Sequence, residues 1–237
     1  VVKPKPEPLA IRSAEEQVYV ALREQIVHGL PPLSPLGLEE IAASLQVSTM
    51  PVRGALRRLE AENLVVTRPR RGSFVAPVRV QDIEEIQTMR CRVEGLAARI
   101  GTPHVDAAGL ASMRKHLTAI KRAVAKKDID AYVVHLRAFE GVCFDAAGWP
   151  RLLKLVDELW RSAERYLRIA VAGGSDAVLT STFWDRFYEA VETRDPDKAE
   201  EAIVEAVTWT LDWMRSHLTS QIQSPLAEVV PEGTKET

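Results

Sequence analysis

Cysteine is scarce: Cys91 and Cys143 are the only two in 237 residues. Both sit in apolar helical patterns, so a disulfide framework is excluded and they read as reduced core residues of a cytoplasmic protein. Histidine is nearly as sparse, and His28, His104, His116, His135 and His217 do not fall into metal-ligand spacing. No Gly-rich phosphate loop and no nucleophile elbow is present, which leaves an enzyme as the least favoured reading. No apolar run is long enough to span a bilayer, and no signal-peptide pattern opens the chain, so no membrane partner is expected. There is no internal repeat.

Excess charge of one sign is also missing, since the net charge is −2. Taken alone, that argues against nucleic acid. The distribution reverses the argument. Between residues 49 and 79 the basic residues are Arg53, Arg57, Arg58, Arg68, Arg70, Arg71 and Arg79, against Glu60 and Glu62 alone. The chain beyond Arg79 is correspondingly acidic. A basic segment joined to an acidic one fits a DNA reader with a separate sensor.

Inside that basic segment, residues 41–48 read as a short helix and residues 51–59 as a second one after a tight turn. Ile41, Leu45, Val47, Val52, Leu56 and Leu59 are expected to point inward as one small core. Ser48 and Thr49 suit the N-cap of the second helix, and Pro51 suits its first turn. A helix N-terminus placed this way attracts phosphate. The layout is that of a helix-turn-helix whose second helix enters the major groove. Residues 64–67 and 73–76 are β-type runs around the basic turn Arg68-Pro69-Arg70-Arg71-Gly72, and so form a hairpin wing. The predicted DNA contacts are Ser48, Thr49, Met50 and Arg53 at the groove, Arg57 and Arg58 toward phosphate, and Arg70, Arg71 and Gly72 at the wing tip.

From Gln81 onward the pattern is helical. Helices are predicted at 82–100, 106–126, 129–147, 152–170, 181–193 and 199–218, the fourth with Leu155, Leu159, Ala163, Tyr166 and Ala170 on its inner stripe. Turn signals separate them at Gly101-Thr102-Pro103, Gly148-Trp149-Pro150, Gly173-Gly174 and Asp195-Pro196. About six helices with short connections imply an antiparallel bundle. Two charges interrupt the stripes: Arg90, between Ile86 and Val93, and Glu140, beside Phe139. Each is either part of a structural ion pair, with Glu94 a local partner for Arg90, or faces a polar ligand cavity. Tyr166, Trp184 and Tyr188 suit a core, and would equally line such a cavity.

These residues resemble the GntR family of bacterial transcription regulators, in the FadR subfamily with an FCD-type effector domain. The likeness from about Glu16 to Pro77 is carried by Val47-Ser48, Pro51-Val52-Arg53, residues 55–59 and residues 69–75. That of the second part is carried by Arg90 with Glu94, Phe139 with Ala146-Ala147-Gly148, and Asp195 with Ala199. The resemblance implies a homodimer with a winged helix on double-stranded operator DNA and an all-α domain that binds a small molecule. Three departures stand out. Thr49 and Gly54 replace the usual Arg and Glu, and losing the Arg removes a guanine reader. Pro32-Leu33 replaces a Pro-Gly. Many FCD domains hold a divalent metal with an Asp or Asn and three His; the corresponding positions here are Leu136, Glu140, Trp184 and Ala206, so no metal and no cofactor are expected.

The predicted fold is therefore mainly α: a winged helix-turn-helix with a small β wing at 10–78, an all-α effector-binding and dimerisation domain at 79–220, and a disordered tail at 221–237. The expected function is a ligand-responsive repressor on an inverted-repeat operator. Its effector would be a small organic acid or acyl-type metabolite, held by Arg90, Glu140, Leu136, Tyr166, Trp184 and Tyr188. The alternatives are an architectural DNA binder without effector and, last, an enzyme with an all-α domain.

Overall fold

The computed structural model of the chain describes residues 13–172 and 182–222. It divides into two compact units, Val1–Pro77 and Val78–Thr237.

The first unit begins with α1 (Ala14–Val27), whose N-cap Ser13 accepts from the Glu16 N–H at 3.1 Å. Strand β1 (Pro35–Leu36) leads into α2 (Leu38–Ser44) and then α3 (Thr49–Ala61). Strands β2 (Val65–Arg68) and β3 (Gly72–Val75) close the wing, with Val65 opposite Val75 and Arg68 opposite Gly72. Strand β1 pairs with the other edge of β3, giving the sheet order β1-β3-β2. Two residues of β1 were too short a signal to read from periodicity. Val52, Leu56 and Leu59 are buried with Val18, Leu22 and Ile26 of α1, while Ile41 and Val47 pack partly buried at the edge. Leu45 departs from expectation and is 37% exposed, because α2 ends at Ser44 and Leu45 is only its C-cap.

The second unit is a bundle of α4 (Val80–Gly101), α5 (Ala107–Lys126), α6 (Ile129–Ala146), α7 (Pro150–Ala172), α8 (Thr182–Glu192) and α9 (Pro196–Ile222). Aspartates cap several starts: Asp106 accepts from the Gly109 N–H, Asp128 from Ala131, and Asp195 from Lys198. Pro150 and Pro196 occupy first helical positions, where no N–H is needed. The inner stripe of α7 is Leu152, Val156, Trp160 and Ala163; Leu155, expected there, is exposed. The apolar run 152–156 admits two helical registers, and packing selects the one that buries Trp160. The tail expected from residue 221 begins inside α9, and its remainder lies outside the described residues, as do Gly173-Gly174 and the side chains of Ala170 and His217.

Helix α4 passes very close to α6. A Cβ on Gly101 would lie 1.9 Å from the Cys143 carbonyl oxygen. Cys143 is buried there against Thr102, and burial pushes its thiol up to about 12, which keeps it inert. Gly141, in the middle of α6, meets nothing within 4 Å. Gly101→Ala should therefore destabilise the protein by about 1–3 kcal/mol through backbone displacement. Gly141→Ala should stabilise it by about 0.5–1 kcal/mol through helix propensity. Urea unfolding of the two variants checks both signs, and equal effects would contradict this packing.

Candidate DNA interface and effector cavity

Burial of Val52, Ala55, Leu56 and Leu59 turns the opposite face of α3 outward. Ser48, Met50, Arg53 and Arg57 are exposed on that side, Met50 by 71%, and Thr49 is half-buried. Ser48 is the N-cap residue, as its type suggests, yet its side chain makes no cap hydrogen bond. Arg70, Arg71 and Gly72 are exposed at the wing. Gly72 has φ +90 and Arg70 φ 62, so the turn needs left-handed backbone at both. Arg53, Arg57, Arg70 and Arg71 form no ion pair among the described residues.

Arg58 is different and does not stand free for phosphate. Its guanidinium donates to Glu16 Oε2 at 2.5 Å and lies 3.8 Å from the ring centroid of Tyr19, both on α1. The Glu16 hydrogen bond is the largest cause of its raised pKa. Tyr19 in turn donates to Glu62 at 2.6 Å. This network braces α1 against α3. The acids responsible lie upstream of the basic segment, which hid the pairing from a local charge reading.

In the helical unit, α4 presents Gln87, Arg90 and Glu94 on one buried face. Arg90 binds Glu94 through two bonds, Nε to Oε1 at 2.7 Å and Nη2 to Oε2 at 3.0 Å. Its Nη1 donates to Gln87 Oε1 at 2.9 Å. Arg90 is ion-paired, and it also lines a small cavity of about 30 Å³. Leu136 and Trp184 line the same cavity, as expected, together with Tyr132, Trp160 and Met214.

Three expected residues sit elsewhere. Glu140 is fully buried behind Trp160, whose Nε1 donates to its Oε2 at 3.0 Å. Tyr166 does not line the cavity and belongs to a separate cluster with Val78, Ile83 and Leu211. Tyr188 is half-buried against the core on α8, where its hydroxyl accepts from Arg114 and donates to Glu192. The sequence reading missed Trp160, whose signal was present in the alternative α7 stripe. It also missed the contact of His116 with His135, Nδ1 to Nδ1 at 3.3 Å.

The positions where FCD relatives place metal ligands converge spatially: Leu136, Trp184 and Ala206 all line the cavity. None of the three offers a lone pair suited to a divalent ion, so these residues do not fit the metal. Among the described residues no group of three or more His, Cys, Asp and Glu is arranged to hold one.

A basic winged helix followed in the chain by a helical bundle defines the class of protein: a DNA-binding regulator with a second, all-α domain. The comparisons agree. The model for bacterial regulatory proteins of the gntR family matches residues 14–75, and that for the FCD domain matches residues 85–219. The chain belongs to the GntR family, in the branch that carries an FCD domain, and is a transcription regulator rather than an enzyme. It is 24% identical to the HTH-type transcriptional repressor RspR of Escherichia coli strain K12, over 80% of this chain and 84% of that protein. It is 27% identical to the regulator McbR of the same strain, over 61% and 66%. The solved structure of E. coli McbR/YncC superposes with a TM-score of 0.75 at 22% identity, covering 87% of this chain and 99% of the other. A regulator from Rhodococcus sp. RHA1 gives 0.72 at 21%, over 85% and 97%. Both structures share the fold. No helix among the described residues is long and apolar enough to cross a membrane.

Glu140 generates a pH dependence. Burial raises its carboxyl pKa, and Glu94 raises it further against the opposing pull of Arg90, to about 7 from an ordinary 4.5. The folded state therefore holds this proton more tightly than the unfolded chain. The associated stability is complete below about pH 4.5 and is lost as pH rises through about 7. Glu140→Gln should flatten this loss, raising Tm relative to the natural protein at pH 8 but not at pH 5. Parallel Tm profiles for the two proteins would contradict the assignment.

Proposed function

We propose that the protein is a cytoplasmic, homodimeric repressor that reads an inverted-repeat operator and releases or tightens on it when an organic effector enters the helical domain. The observation that carries the DNA half is the set of four unpaired arginines, Arg53 and Arg57 on α3 and Arg70 and Arg71 at the wing. Unpaired exposed arginine is costly in self-repulsion and is what a phosphate backbone neutralises. Ser48, Thr49 and Met50 start the same helix, and Met50 suits contact with a thymine methyl. Gly72 lets the wing tip approach the backbone closely. Arg58 serves as a brace rather than a contact.

Dimerisation follows from family habit and from the two-fold logic of inverted repeats. Met89 and Leu96, seven residues apart on α4 and each 40% exposed, supply an apolar stripe that a second copy would cover. The repressor sense is taken from RspR, named a repressor. For the effector, three of the five guanidinium N–H groups of Arg90 are used by Glu94 and Gln87. The remaining donors suit a carboxylate or phosphate, with Leu136, Trp160, Trp184 and Met214 on an apolar body. One guanidinium among apolar and aromatic walls suits an organic acid with an apolar part, for which the cavity must widen on binding. An architectural DNA binder would have no use for such a cavity around a buried arginine.

Arg53→Ala or Arg71→Ala should each weaken operator binding by about 1–3 kcal/mol without lowering Tm, read by fluorescence anisotropy. Arg58→Ala should instead lower Tm. Unchanged affinity in both Arg53→Ala and Arg71→Ala would remove the proposed interface.

A further inference from the structure

The recognition helix α3 has one outward position with no side chain. Gly54 lies opposite the buried face formed by Val52, Ala55, Leu56 and Leu59, one turn after exposed Met50 and one turn before exposed Arg57. Another helix fills the gap. A Cβ on Gly54 would lie 2.3 Å from Glu15 Oε2, 2.4 Å from its Cδ and 3.0 Å from its Cγ. The carboxylate of Glu15, in the first turn of α1, therefore rests directly on the Gly54 backbone. Its neighbour Glu16 is committed to Arg58. Glu15 makes no hydrogen bond or ion pair of its own among the described residues, although its charge is felt by Arg58.

We infer that Glu15 is a specificity-determining residue of the DNA-reading surface: its carboxylate, laid over Gly54, accepts a hydrogen bond from a base-edge amino group and selects cytosine at one position of each half-site. The inference rests on the DNA interface proposed above and adds to it a reader drawn from outside the recognition helix. An ionised carboxylate only accepts hydrogen bonds. In the major groove the amino donors are cytosine N4 and adenine N6, and adenine places its N7 acceptor beside the donor. Guanine and thymine present acceptors that repel a carboxylate. Phosphates repel it as well, so Glu15 lowers affinity for every sequence that lacks a donor at that position, and selectivity is gained by repulsion. Gly54 is what allows this, since any side chain there displaces Glu15. Glycine in an exposed helix interior costs about 1 kcal/mol relative to alanine, and here it opens the seat of the carboxylate.

The test is selection from a random duplex library with the full-length protein and its Glu15→Ala and Gly54→Ala variants, followed by base preferences position by position. The natural protein should show a cytosine preference of roughly tenfold at one half-site position, equivalent to about 1.4 kcal/mol. Both variants should fall to within about twofold there while keeping their other preferences, which also shows that they are folded. Glu15→Ala should bind a non-specific duplex severalfold more tightly. Identical preferences at every position in Glu15→Ala, or a uniform weakening at all of them, would overturn the inference and leave the interface standing. If the natural protein enriches no sequence, the interface itself falls and this inference falls with it.

Discussion

The buried ion pair between Arg90 and Glu94 is the constraint around which the helical domain is arranged. Two charges at the centre of a bundle are tolerated only because they satisfy one another, with Gln87 taking a third guanidinium bond. Their presence in α4 obliges α7 and α9 to wrap them, and the space left beside Arg90 becomes the cavity. Trp160 links this centre to α6: the Arg90 guanidinium lies 5.8 Å from its ring centroid, and its indole N–H satisfies one oxygen of Glu140. The other oxygen, Glu140 Oε1, is buried without a hydrogen-bond partner among the described residues. That oxygen adds to the cost of ionising Glu140, in keeping with its raised pKa.

The winged domain follows the opposite rule. There the charges that matter are the ones left unpaired. Arg58 is locked by Glu16 and Tyr19, which fixes α1 along α3. Arg53, Arg57, Arg70 and Arg71 remain open to solvent. Sorting the arginines this way separates positioning from contact, which charge counting along the chain merges. It also locates the acidic exception, Glu15, at the one place where α3 has no side chain to interfere.

Much of this was legible in the sequence. The helical periods, the basic turn of the wing and the Pro and Asp punctuation are local signals, and the bundle helices and the wing formed where they pointed, whereas α2 spans Leu38–Ser44 rather than 41–48 and α1 was not anticipated. Arg90 with Glu94 could be anticipated because their spacing is itself a local rule. What escaped depended on contacts distant in sequence. The brace on Arg58 comes from 42 residues upstream. Tyr166 and Tyr188 carry the right chemistry for a cavity wall but lie outside it: Tyr166 packs in a separate cluster, and Tyr188, one turn beyond Trp184 on α8, is held by Arg114 and Glu192. Trp160 entered the cavity for the same reason that Leu155 left the core.

The most direct test of the account is effector response in a double variant, Arg90→Met with Glu94→Gln. It removes the anchor without stranding a buried charge, because breaking one partner alone would cost about 3–5 kcal/mol. A compound that raises the Tm of the natural protein should change its operator affinity, and operator DNA should change affinity for that compound by the same factor. The account predicts that the double variant folds, binds the operator as before, and loses both effects. A double variant that still responds to the compound would show that Arg90 does not anchor the effector.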